Sequence, residues 1–268
     1  MSKQPQGEAT IVFALLSGEE QGLFGGRLLA ETAKERGWKV TAMLNNDIVG
    51  GTLGTDGRKV DNVVRIFSEG IRASEDIAAQ MARRGSGGED DGPSRALMRF
   101  ADIVADRNKS LGLDVFGVRR PDRFSRGGDH LPALELGIPA IRFTVGVENY
   151  HHQHQDLRTE NGIEYGDTVD KMDFQYLAKV TALNVATATA LSAAPPAPAS
   201  ASLGGAVSSD TIVKWTPVAG ATGYRVYWRK ADSPDWQEKV DVAGATAAET
   251  TLKGVIVDDH FVGVAAFD

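Results

Sequence analysis

The stretch Ala9-Thr10-Ile11-Val12-Phe13-Ala14-Leu15-Leu16, followed at once by Ser17-Gly18-Glu19-Glu20-Gln21-Gly22-Leu23-Phe24-Gly25, decides how this chain is read. Its first part is apolar and β-branched and predicts a buried strand. Two adjacent carboxylates at a strand exit repel each other, so a fold tolerates them best where a cation or a proton offsets the charge. One member of such a pair can ligate a metal while its neighbour takes a proton from water, a division of labour found in hydrolytic zinc sites. A solvated turn that happens to hold two acids is the plain alternative. The strand before the pair and the glycines after it weigh against that alternative.

Further residues of matching chemistry lie downstream. Residues 38–46 form a second strand-like run that ends Asn45-Asn46-Asp47-Ile48-Val49-Gly50. This places Asp47 as an oxygen ligand at the carboxyl edge of an α/β sheet. The segment His151-His152-Gln153-His154-Gln155-Asp156 holds three of the five histidines in the chain. A polar surface loop would explain it. Neutral imidazole is also the commonest protein ligand for zinc, and near a carboxylate pair the cluster favours metal binding.

Around these segments the pattern alternates strands and helices. Residues 24–36 read as a helix with Leu28 and Thr32 below Phe24, and residues 62–67 as a strand. Residues 93–109 read as a helix with proline in its first turn and Leu97, Ala101 and Val104 at helical spacing. Strands are predicted at 113–118 and 139–145, with a short helix at 129–136 between them. A long helix covers 170–191, with Phe174, Leu177 and Thr181 on one side. The result is an α/β domain over 1–194, with a mixed central sheet flanked by helices. A Pro/Ala linker follows at 195–202. Short alternating strands at 211–215, 224–229, 239–242, 249–252 and 261–267, with turn signals at 217–220 and 232–234, predict a small all-β sandwich over 203–268.

Segments 17–25, 44–50, 128–141 and 150–156 resemble, in order and rough spacing, those of the di-zinc aminopeptidase family. That family includes bacterial leucyl aminopeptidases and glutamate carboxypeptidase-like enzymes, and the likeness covers about 9–194. The resemblance implies a zinc-exopeptidase fold with Glu19 as general base, Glu20 as a ligand of one zinc and Asp47 as a ligand of the other. It points to His152 as the histidine sharing a metal with Glu20, because His152 and Asp156 reproduce the family's His-x-x-x-Asp spacing. His151 is the alternative, since many members place a tyrosine just before the ligand, and His154 stays open as a third choice. Tyr150 would be that tyrosine, which helps polarise the substrate carbonyl in some members. Asp129 and His130 resemble a segment close to the site and are read as supporting the ligands. Members of the family also carry an upstream histidine and a metal-bridging aspartate. No histidine here precedes His130, and residues 1–8 are too short to hold those segments. The expectation is a partial peptidase domain that binds zinc weakly through Glu20 and His152 and has little activity by itself.

Residues 213–217 and 223–228 resemble part of a fibronectin type III domain. Trp215 would be its core tryptophan. His260 would stand where a tyrosine is usual, making a packing contact or a backbone hydrogen bond. Such a domain would end here before its last strand and expose a sheet edge.

Composition bounds the rest. The 268 residues suit one large and one small domain. A net charge of −7 gives no indication of electrostatically driven nucleic-acid binding, and the absence of cysteine excludes disulfides and thiolate metal sites. No apolar stretch reaches membrane-spanning length, and residues 1–8 lack the apolar core of an export signal. The family resemblance nevertheless implies a secreted or periplasmic setting. Residues 89–91 read as an acidic solvated loop. The function implied is a zinc-dependent metallopeptidase, an aminopeptidase acting on peptide substrates with two zinc ions in the full-length member. The alternative is a non-catalytic binding protein on the same fold, with the β-sandwich as an adhesion module.

Overall fold

Four strands of the N-terminal region pair in both directions, and this places chain ends of opposite polarity on the same sheet edge. The computed structural model describes residues 9–85 and 88–268. Residues 1–8, discussed above for export signals, lie outside the described residues. The helices are α1 (Phe24–Glu35), α2 (Ile77–Gly85), α3 (Pro93–Arg107), α4 (Leu131–Glu135) and α5 (Phe174–Ala193). Strands β1 (Met43–Asn46), β2 (Val63–Phe67), β3 (Asp114–Val118) and β4 (Ala140–Val145) form a sheet of order β1-β4-β2-β3. β1 runs parallel to β4 and β2 parallel to β3, while β2 and β4 are antiparallel, so the sheet is mixed as expected. β5 (Arg158–Glu160) and β6 (Ile163–Tyr165) make a separate hairpin. Its turn residues Asn161 and Gly162 both have positive φ, as a tight hairpin turn requires.

The core of residues 12–188 is built on β2 and β4. Val64, Ile66, Phe67, Ile141, Phe143 and Val145 are all buried. α3 covers this sheet with Leu97, Met98, Ala101 and Val104, the spacing read from the sequence. α5 buries Tyr176, Val180 and Leu183, whereas Phe174 and Thr181 lie exposed, so the buried stripe is rotated from the expected one. The Tyr176 hydroxyl decides that rotation: it donates to the carbonyl of Val63 at 2.8 Å and ties the helix to β2. In α1, likewise, the small residues Gly26, Ala30 and Ala33 face inward, and Phe24 and Leu28 do not. A close helix contact excludes large side chains, and Ala30 meets Ala133 and Leu134 of α4.

Three sequence expectations are corrected. Residues 9–16 form no strand, and Ile11, Val12, Phe13 and Leu15 are exposed. A doubly buried strand needs neighbours to take its N–H and C=O groups, and this run has no ladder partner among the described residues. The second strand is limited to Met43–Asn46. Asp90 and Asp91, read as solvated loop, pair with the buried Arg95 and Arg99.

Residues 189–268 form a second compact unit together with residues 9–11. Strands β7 (Ala201–Gly204), β8 (Thr211–Trp215) and β11 (Glu249–Leu252) make one antiparallel sheet, and β9 (Gly223–Lys230), β10 (Glu238–Ala243) and β12 (His260–Phe267) another. β7 takes up Ala201 and Ser202, which the sequence reading placed in the linker. Inward-facing Val213, Trp215, Tyr224, Val226 and Leu252 fill the space between the sheets, and the Trp215 and Tyr224 rings lie 5.2 Å apart. His260 Nδ1 lies 2.9 Å from the carbonyl of Ile256, a backbone hydrogen bond.

The fully buried Tyr224 hydroxyl accepts from the Val218 N–H at 2.7 Å and donates to the Ala245 carbonyl at 3.0 Å. Tyr224→Phe would strand both backbone groups. A loss of about 1–3 kcal/mol is expected, read as a lower denaturation midpoint at unchanged slope. An unchanged midpoint would show that water replaces the hydroxyl.

Candidate functional site

The Glu19-Glu20 pair sits in the turn that opens α1. The Glu19 carbonyl accepts from the N–H groups of Gly22 and Leu23, and the Gly18 carbonyl from Phe24 N–H. This turn is clamped by Asp129, whose Oδ1 accepts from Gly26 N–H at 3.0 Å. Only glycine fits at position 26, because an added Cβ would lie 2.3 Å from the Asp129 carbonyl oxygen. Burial pushes the Glu19 carboxyl above its ordinary range. The charges of Asp47, Glu20 and Asp129 add to that rise, and Arg142 opposes it. Glu19 therefore lies in a field of like charge.

Asp47 leaves the end of β1 with its N–H on the Phe143 carbonyl. The next residue, Ile48, has φ +57°, an unusual conformation for a β-branched side chain. The turn holds because the Ile48 carbonyl accepts from both Val145 N–H and the Thr144 hydroxyl. It aims Asp47 at Arg142, with Oδ2 2.9 Å from Nη2, an ion-pair contact whose angle falls short of a hydrogen bond. Arg142 is fully buried in β4. It also donates to Asp122 at 3.0 Å and to the Gly127 carbonyl at 2.6 Å. Sequence reasoning missed this residue. The available signal was a lone arginine within the apolar strand Ile141-Arg142-Phe143.

His130 is also fully buried. Its Nε2 donates to the Pro121 carbonyl at 2.8 Å, and Nδ1 has no hydrogen-bond partner. Burial, the dominant influence, lowers its pKa. His130 and Asp129 thus hold the loop together and do not join Glu20.

The histidine cluster splits three ways. The His151 ring packs on Tyr165 at 5.1 Å. His152 is set among Lys171, Asp167 and Asp170, and partial burial, then Lys171, lowers its pKa. His154, with φ +52°, is the one beside Glu20, at 3.6 Å from Nδ1 to Oε2. The structure thus brings His154, and not His152, beside Glu20. A positive φ turns the chain at residue 154, and spacing alone does not register such a turn. Tyr150 is exposed, and its N–H donates to the Thr55 hydroxyl.

Glu20 and His154 offer two donors side by side, whereas a catalytic zinc usually takes three from the protein. Among the described residues no group of three or more His, Asp or Glu side chains is arranged to hold a metal. Asp47 is directed to Arg142. The described donor set therefore does not make up a complete zinc site. A cavity of about 570 Å³ is lined by residues including Glu69, Arg119 and Leu134 and includes none of the candidate residues. The charge arrangement is the better guide to the chemistry.

An α/β sheet with an acidic pair at a helix entrance, an aspartate at a strand exit and a histidine loop defines a metallopeptidase-like class of site. The chain belongs to peptidase family M28, whose family model matches residues 1–173. It is 43% identical over 248 residues to a probable zinc metalloprotease of Leptosphaeria maculans, covering 91% of this chain and 57% of that protein. A probable zinc metalloprotease of Pyrenophora tritici-repentis is 40% identical, over 88% of this chain and 50% of that protein. The chain thus spans about half the length of these curated relatives. Among solved structures, the chicken CNTN1 FN1-FN3 domains match 28% of this chain and 26% of that one at 24% identity, with a TM-score of 0.25, too low to carry an argument.

Proposed function

We propose that the protein is a zinc-dependent exopeptidase, an aminopeptidase hydrolysing the first peptide bond of its substrate with two zinc ions. Glu19 acts as the proton acceptor, Glu20 and His154 would contribute zinc donors, and Asp47 would do so only on leaving Arg142. The observation that carries this reading is the approach of Glu20 and His154 from segments more than a hundred residues apart, beside a Glu19 whose proton affinity is raised. Membership of family M28 and the names of the relatives support the class of chemistry. A carboxylate with raised pKa is suited to take a proton from an attacking water and to pass it to the leaving amine. We read the β-sandwich as a fibronectin type III-like spacer.

Zinc analysis of the full-length protein after dialysis, beside its variants, tests the donor assignment. Glu20→Gln and His154→Ala are expected to lower zinc content, and His152→Ala to leave it unchanged. Loss in His152→Ala with retention in His154→Ala would reverse the choice of histidine. Aminoacyl-anilides with free and blocked N-termini test the exopeptidase reading, and equal cleavage of the two would overturn it.

A further inference from the structure

Four guanidinium groups meet three carboxylates in one connected network beside the candidate site. Glu148 takes Arg65 at 2.5 Å, Arg126 at 3.1 Å and Arg123 at 3.5 Å. Arg123 also reaches Asp122 at 3.2 Å, and Arg142 bridges Asp122 and Asp47. His130, which touches Asp122, is fully buried, and burial disfavours its charged form. One positive charge is left over. Neither Glu19 nor Glu20 lies within ion-pair distance of any of the four arginines among the described residues.

The surplus falls at Arg126. Its side chain is 29% exposed, against 19% for Arg65, 9% for Arg123 and 0% for Arg142. An unbalanced cation is tolerated where solvent or an anion reaches it, and it is costly in the interior. Arg126 is also fixed in place, since its Nη1 donates to Gln153 at 2.9 Å and its Nη2 to His154 Nε2 at 3.3 Å. The His154 ring therefore separates two signs of charge: Glu20 at 3.6 Å on one side and Arg126 on the other. Two contacts and one imidazole ring span about two to three extended residues at roughly 3.3–3.6 Å each. With Nη1 engaged by Glu148 and Gln153 and one Nη2 hydrogen by His154, the Nε–H and the second Nη2 hydrogen are left to meet a carboxylate side-on with two parallel hydrogen bonds.

From this geometry we infer that Arg126 recognises a carboxylate on the substrate, so that the site selects short peptides with a free C-terminus or an acidic side chain close to the cleaved bond. This specificity rests on the peptidase reading above, and the carboxylate site itself does not. Gln153 acts as a positioning residue that holds the guanidinium toward the histidine loop.

The test compares full-length wild type, Arg126→Gln and Arg126→Lys, each checked for folding by its melting temperature. Three substrates are used: leucyl-alanine, leucyl-alanine amide and leucyl-glutamic acid α-amide. The preference for a carboxylate substrate over the neutral amide, taken as a ratio of kcat/KM, is expected to fall about 10- to 100-fold in Arg126→Gln, mainly through KM, and to be partly kept in Arg126→Lys. Loss confined to leucyl-alanine identifies the C-terminal carboxylate, and loss confined to leucyl-glutamic acid α-amide identifies the side chain. Titration with glutarate gives a second readout independent of turnover: wild type binds it and Arg126→Gln does not. Glutarate binding that depends on Arg126 without any hydrolysis would sustain the carboxylate site and overturn the peptidase reading. Hydrolysis with the same preference in wild type and Arg126→Gln would overturn the inference and leave the peptidase reading standing. With neither hydrolysis nor glutarate binding, both fall.

Discussion

On the proposed reading, Glu19→Gln in the full-length protein is expected to lower turnover by about 10²–10⁴-fold while zinc content stays at the wild-type level. Glutamine keeps the size and hydrogen-bonding reach of glutamate but cannot accept a proton. The charge of Glu19 is already disfavoured where it stands, by burial first and then by Asp47, Glu20 and Asp129. Removing that charge relieves repulsion, so the variant folds at least as well as the wild type. This combination separates a catalytic role from a structural one. A structural glutamate would show a lower melting temperature and a proportionate loss of activity. A proton acceptor shows lost turnover in a protein that is equally or more stable. Full activity in Glu19→Gln would take Glu19 out of the mechanism. Loss of zinc along with activity would make it a ligand.

Arg142→Met carries the largest expected stability effect, about 3–5 kcal/mol, because breaking a buried ion pair leaves its partner uncompensated. Arg142 is fully buried and connects Asp47 to Asp122, and the Asp122 side chain is itself only 2% exposed. Methionine fills much of the arginine volume, so the cost reports charge more than cavity. The effect depends on pH. Burial works against the Asp122 carboxylate, yet Arg142, the Arg123 N–H and neighbouring charges hold its pKa below the ordinary aspartate value. Its contribution is therefore present above about pH 3.9, the unfolded value, and is lost as pH falls through the lower folded value. In Arg142→Met the cation is gone, and protonation of Asp122 relieves the protein instead. The deficit against wild type should narrow as the pH falls below about 4. Urea unfolding at several pH values measures this, and Asp122→Asn in the Arg142→Met background should recover part of the loss at neutral pH. A deficit that does not change with pH would place the cost in packing.

Several elements of this protein were legible along the chain. β2, β3, β4 and α3 follow from short-range pattern: β-branched runs of strand length, and apolar residues at helical spacing behind a proline. The β-sandwich strands were equally plain, because alternation and turn residues repeat at short intervals. β8 and β11 fall on the predicted residues. Patterns of this kind depend on each residue's own neighbours and survive without knowledge of the fold. The run at 9–16 shows where such reading fails, since its strand character can be realised only with partners that the pattern does not contain.

The sequence by itself determined the chemistry available: an acidic pair after an apolar run, an aspartate at a strand end and a histidine cluster, all in a chain without thiols. Tertiary structure alone decided which of these groups meet. It brought His154 to Glu20 through a left-handed residue, set His151 against Tyr165, and left His152 in the field of Lys171, Asp167 and Asp170. It also supplied Arg142 and Arg126, which lie far along the chain from the acids they govern. The physical reason is range. Backbone pattern is fixed over a few residues, whereas the charge on Asp47, Asp122 and Glu148 is balanced by groups that only the folded chain brings within an ion-pair distance.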